Sequence, residues 1–117
     1  VQRGGGGSAT RLRASRPSYR VMDSVLWYVL TGTRGGENRA RVLAAVAERP
    51  LNPNQLAERL DLDYKTVRHH LDVLVEHDIA EASGDEYGAV YGPTDRVREH
   101  WDVVEEIFDE HGVASGA

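Results

Sequence analysis

Tyr64, Lys65, Thr66, Arg68 and His69 crowd the start of the segment "DYKTVRHHLDVLVEH", and Lys65 is the only lysine in a chain of 117 residues. All five carry hydrogen-bonding groups. An ammonium and a hydroxyl side by side suit phosphate, and a guanidinium can also match the paired O6 and N7 acceptors of a guanine edge. The pattern therefore points to a polyanion such as a nucleic-acid duplex. Catalysis has no comparable set. Glu105-Glu106 and Asp109-Glu110 fall on an exposed helical face, no nucleophile is paired with a base, and Gly35-Gly36 lacks the following lysine of a phosphate-cradling loop. No enzyme is expected.

These side chains need a helix end to be useful. Asp63 is a good cap for a helix from Tyr64 to about His77, whose buried face is Val67, Leu71 and Leu74. That leaves Lys65, Thr66, Arg68 and His69 on the other face, close to the positive end of the helix. His70 points away from His69 and is expected to be partly buried. Just upstream, "NPNQLAERLDL" offers an Asn52 cap, proline at the first helical position, and Leu56, Ala57 and Leu60 facing inward over about two turns.

The remaining elements follow from periodicity. "MDSVLWYVLTG" is apolar at Met22, Val25, Leu26, Val29 and Leu30, a helical stripe, and "ENRARVLAAVAERP" places Val42, Leu43, Val46 and Ala47 on one face after the Gly35-Gly36 turn. "IAEASGDEYGAVYGPT" alternates around Gly84-Asp85 as a β-hairpin does. Thr94 then caps a helix of about four turns with one seam, Val97, Trp101, Val104 and Phe108. Helix, helix, short helix, tight turn, helix, hairpin, helix is the order of a winged helix-turn-helix, mainly α with a small β-hairpin.

Length allows one small domain. Residues 1–21 hold five arginines, no acid, four consecutive glycines and little to bury, so they read as a disordered basic tail. The domain is expected over 22–112, with a short flexible C-terminus at 113–117. Met22 directly precedes the first apolar stretch, so translation from Val1 or from Met22 both remain open. Beyond the tail, nine basic residues face all 19 acids, about −10 for residues 22–117. Many acids, little lysine and small apolar residues suggest adaptation to concentrated salt. The chain has no cysteine, no apolar run long enough to span a membrane and no signal-peptide pattern, and a cytoplasmic location is expected.

"LAERLDLDYKTVRHHLDVLVEHDIAE" resembles the core of ArsR-type winged-helix transcriptional regulators, whose second helix commonly reads Thr-Val-x-x-His-Leu-x-x-Leu. Thr66, Val67, His70, Leu71 and Leu74 match it. "LWYVLTGTRGGENRARVLAAV" and "YGAVYGPT" are similar to small stand-alone members from salt-loving archaea. The resemblance implies double-stranded DNA as partner and a homodimer formed by the first and last helices. Trp27, Leu30, Trp101, Val104 and Phe108 would supply that interface.

Two features depart from the family. Its wings often carry arginine or lysine at the tip, whereas this chain has Asp85, Glu86 and Tyr87, so a wing contact would fall mainly to Tyr87. Some members sense metals through the last helix, but beside His100 and His111 the completing positions hold Arg98 and Ala114. Neither a metal nor a cofactor is expected. The alternative function is a winged helix that binds protein within transcription or chromosome machinery. The acidity of the domain favours it, while the cationic, polar face of Lys65, Thr66 and Arg68 speaks against it.

Overall fold

The computed structural model describes residues 17–85 and 88–113. Helix α1 (Pro17–Trp27) continues into a π-helical turn, Tyr28–Gly32. It begins five residues before Met22, so the expected boundary after residue 21 falls inside a helix. Of the expected tail of 1–21, residues 1–16 lie outside the described residues. Met22, Leu26, Val29 and Leu30 are buried as their spacing requires. In the wider turn the Thr31 hydroxyl donates to the Trp27 carbonyl at 2.5 Å.

The chain then reverses through Gly35, whose φ of 86° is left-handed, into α2 (Gly36–Glu48). A side chain at Gly35 would meet the His70 ring at 2.9 Å, and one at Gly36 would meet the Leu30 carbonyl oxygen at 2.8 Å. Both glycines are demanded by close packing as well as by the turn. Along α2 the elements on either side bury Ala40, Val42, Leu43, Ala44, Ala45 and Val46, while Ala47, expected inward, faces solvent at the helix end.

Helix α3 (Pro53–Leu60) opens with a reciprocal capping box. Gln55 N–H donates to Asn52 Oδ1 at 2.7 Å, and Asn52 N–H donates to Gln55 Oε1 at 2.9 Å. After a tight turn through Asp61 comes α4 (Tyr64–Glu76), with Val67, His70, Leu71 and Leu74 buried. Strands β1 (Ala80–Ser83) and β2 (Val90–Pro93) pair antiparallel from Ala80↔Pro93 to Ser83↔Val90. An isolated bridge joins Tyr91 to Leu51, immediately before α3. The hairpin follows the helix pair as a wing, so the fold is a winged helix-turn-helix. Among the described residues no helix is long and apolar enough to cross a membrane.

The last segment corrects the expectation of one long helix. Thr94 does cap, accepting from Val97 N–H at 3.1 Å, but the helix it starts, α5 (Asp95–Arg98), stops after four residues, and α6 (Trp101–His111) begins anew. The break turns His100 inward, where its Nδ1 lies 2.7 Å from Asp23 Oδ1 on α1. The seam also differs in role. Leu30, Val104 and Phe108 are 1%, 0% and 0% exposed within the single chain, so they have no surface left to offer a second copy. Val104 and Phe108 belong to α6, which packs on α1 inside one chain, and Leu30 is buried in the π turn. Trp27 and Trp101 remain half-buried, Trp101 meeting Phe108 edge-on with ring centroids 6.0 Å apart.

A buried cation ties the first half of the chain to α4. Arg39 donates from Nε to the Val29 carbonyl (3.0 Å) and from Nη2 to the Arg34 carbonyl (3.1 Å) and the Thr33 hydroxyl. Its Nη1 lies 3.4 Å from His70 Nδ1. A guanidinium only donates, so Nδ1 is the acceptor and the imidazole proton sits on Nε2. Removing this fork leaves the Val29 and Arg34 carbonyls without their donor, and Arg39→Ala is expected to destabilise the fold by roughly 2 to 4 kcal/mol in denaturant titration. Arg39→Lys recovers only part of the loss, because one ammonium cannot span the same acceptors.

The same contact sets a pH dependence. Burial first, then the Arg39 and His69 charges, pushes the His70 pKa below its ordinary value of 6.5. Stability from the neutral ring is complete above pH 6.5. It is lost as pH falls from there toward the depressed folded value, because the unfolded chain takes up the proton first. Melting temperatures measured from pH 7.5 to 5 are expected to fall more steeply for the wild type than for His70→Gln. Parallel profiles would refute the assignment.

Candidate nucleic-acid interface

The turn between α3 and α4 is built from local hydrogen bonds. Asp61, at φ 56°, closes α3, and Leu62 N–H returns to the Ala57 carbonyl at 3.0 Å. Asp63 Oδ1 then accepts from Thr66 N–H at 2.7 Å, and that bond holds the Asp63 carboxyl below the ordinary carboxylate range. A cap anchored this way fixes the direction in which α4 leaves the turn. Arg41 braces the same corner, donating from Nη2 to the Leu60 carbonyl at 3.0 Å. Arg59 pairs with Glu48 across α2 and α3.

With its inner face spent on Val67, His70, Leu71 and Leu74, α4 turns an outer stripe to solvent: Lys65, Arg68, His69, Asp72 and Glu76. Each of these positions lies three or four residues from another, so they form one row. Lys65 and His69 are exposed, Arg68 is half-buried, and Tyr64 is 49% exposed at the helix start. Thr66 is half-buried and its N–H is taken by the cap. The row changes sign along its length, cationic near the N-terminus and acidic at Asp72 and Glu76.

Residues 37–81 match the family model of a helix-turn-helix domain. No curated protein matches the chain. The matched segment runs from α2 to the first residues of the hairpin, so the helix-turn-helix is α3 and α4 with α2 as its support. The expected contact residues Tyr64, Lys65, Thr66, Arg68 and His69 all lie in the first two turns of the second helix, Tyr64, Lys65 and His69 exposed and Thr66 and Arg68 half-buried. Tyr87, expected at the wing tip, lies outside the described residues.

Arg68 differs from the free side chain that periodicity suggests. Its Nη1 donates to the Tyr91 hydroxyl at 2.9 Å, and its Nη2 lies 3.5 Å from Asp72 Oδ1. The Tyr91 hydroxyl, ahead of the Asp72 charge, raises the Arg68 pKa above its ordinary value. Tyr91 was not legible as a partner, because 23 residues separate the pair and only the folded hairpin brings them together. Arg39 was also missed, as was the burial of His100, yet both carried a signal. Each is a polar residue at helical spacing from apolar ones, Arg39 before Val42 and Leu43, His100 between Val97 and Val104.

His100 contacts Asp23, and His111 is exposed at the end of α6. Among the described residues no three metal-binding side chains converge. The start of α4 thus carries exposed hydrogen-bonding and cationic side chains on one face. Truncating its cap should loosen it: Asp63→Ala is expected to lower the melting temperature and to increase amide exchange in the first turn of α4, with the hairpin amides unchanged. Uniform loss of protection would mean that the cap supports the whole fold instead.

Proposed function

We propose that the chain is a transcriptional regulator of ArsR type that binds double-stranded DNA sequence-specifically as a homodimer. The observation that carries the reading is the outer row of α4. The only lysine, an oriented arginine and an exposed histidine share the solvent face of the second helix of a helix-turn-helix, at its positive end. In this reading Lys65 grips phosphate, Arg68 reads a guanine edge, and Tyr64, Thr66 and His69 flank them. Tyr87 would contact the backbone from the wing. The protein-binding alternative gains little from this face, whose centre is cationic and polar.

The homodimer is supported by apolar surface left on α1, the π turn and α6. Val21 and Tyr28 are 52% and 60% exposed, and Trp27 and Trp101 keep part of their surface open. These four, without Leu30, Val104 and Phe108, form the revised interface. Trp101→Ala is expected to shift the sedimentation of micromolar protein from dimer to monomer. A dimer that survives the change would refute this interface.

DNA recognition is tested by selecting duplexes from a random library with the full chain, over a series of potassium chloride concentrations suited to an acidic, salt-adapted protein. A shared sequence should emerge. Lys65→Ala should then weaken selected and scrambled duplexes alike and reduce the slope of log affinity against log salt by about one. Loss confined to the selected duplex would make Lys65 a base reader.

A further inference from the structure

Tyr91 reaches Arg68 from the middle of β2, and every part of it is held. Its N–H donates to the Leu51 carbonyl at 2.8 Å, and its carbonyl accepts from Leu51 N–H at 3.3 Å. On its other side it pairs with Ala82 across the hairpin. The residue is only 8% exposed. A phenol fixed by a ladder on both sides and by packing around its ring is a stationary hydrogen-bond acceptor.

Arg68, by contrast, sits on a long stem whose guanidinium would sample many directions if left alone. Its Nη1 is 2.9 Å from the Tyr91 hydroxyl, and its Cζ lies 6.0 Å from the Tyr91 ring centroid. The approach to Asp72, at 3.5 Å, is at the outer limit of a hydrogen bond. The tyrosine is therefore the stronger guide.

We propose that Tyr91 is a positioning residue for sequence recognition. Its hydroxyl orients the Arg68 guanidinium in the free protein, so that the N–H groups it does not occupy face the groove. The inference rests on the DNA-binding reading given above. Two consequences follow from the geometry. Less side-chain freedom is lost on binding, and the wing and the second helix present themselves as one unit. A guanidinium aimed in advance also discriminates better, since a bidentate pair tolerates little misalignment.

The test titrates full-length wild type, Tyr91→Phe, Arg68→Ala and the double variant against a duplex enriched from a random library and against a scrambled one. Side-chain Nε–Hε signals of Arg68 are recorded in the free proteins. Tyr91→Phe keeps the ring and should keep the melting temperature within about two degrees. It should lower affinity for the enriched duplex by about tenfold, leave the scrambled duplex within about twofold, and add nothing to Arg68→Ala. The Arg68 Nε–Hε signal should move toward that of an unrestrained arginine.

Unchanged affinity of Tyr91→Phe for the enriched duplex would overturn the proposal. So would an equal loss on both duplexes, or a loss that persists beside Arg68→Ala, which would make Tyr91 a direct contact. An Arg68→Ala variant that binds like wild type would overturn it as well. If the wild type enriches no duplex, the DNA-binding reading falls and takes this inference with it. Enrichment with an indifferent Tyr91→Phe removes this inference alone.

Discussion

A guanidinium buried among neutral acceptors is the interaction on which the rest of this structure depends. Arg39 sits on the core side of α2 and satisfies carbonyls from the π turn and the loop after it, while the same fork meets His70 on α4. A charge so placed is costly unless its N–H groups are used, and here they are. The arrangement explains neighbouring choices. Gly35 has no side chain because His70 and Arg39 occupy the space beside it, and His70 must stay neutral to accept. Burial lowers the Arg39 pKa without discharging it in any ordinary pH range. The outer face of α4 is thereby aimed from behind, by contacts that never reach solvent.

Local rather than net charge governs the exposed face of α4. The chain is acidic overall, at −5, yet its outer row begins with a lysine, an arginine and a histidine at a helix N-terminus. Asp72 and Glu76 follow one and two turns later, where the partial charge of the helix end has faded. Asp63 spends its carboxylate on the Thr66 N–H. An acidic domain can thus keep a small cationic opening, because the nearest acids are engaged, Asp63 as a cap and Asp72 beside Arg68.

Much of this was legible in the sequence, and what was not has physical causes. The helix-turn-helix could be read because its signals are local: Asn52 with Gln55, Pro53, Asp63, and apolar residues spaced for one face. The hairpin could be read from alternation around Gly84. Three features needed the tertiary fold. A π turn leaves the same apolar residues buried as an α-helix does, so Val29 and Leu30 did not reveal it. Periodicity could not distinguish a seam facing a second copy from one buried in its own chain, and Leu30, Val104 and Phe108 turned out to be the latter. The Arg68–Tyr91 bond joins distant segments through two side chains, and no spacing encodes it.

The single bridge between Leu51 and Tyr91 has a kinetic meaning. Most of the helical structure it encloses forms from contacts between near neighbours, which assemble quickly. The bridge instead closes a long stretch of chain for only two backbone hydrogen bonds, and loop-closure entropy makes such a contact slow to gain. The wing can pair with itself as a local hairpin, but its attachment at Leu51 needs α3 and α4 in place first. Once made, the bridge holds Tyr91 between Leu51 and Ala82, so the inner edge of the hairpin is tied to the helical scaffold while its far end is joined only to itself.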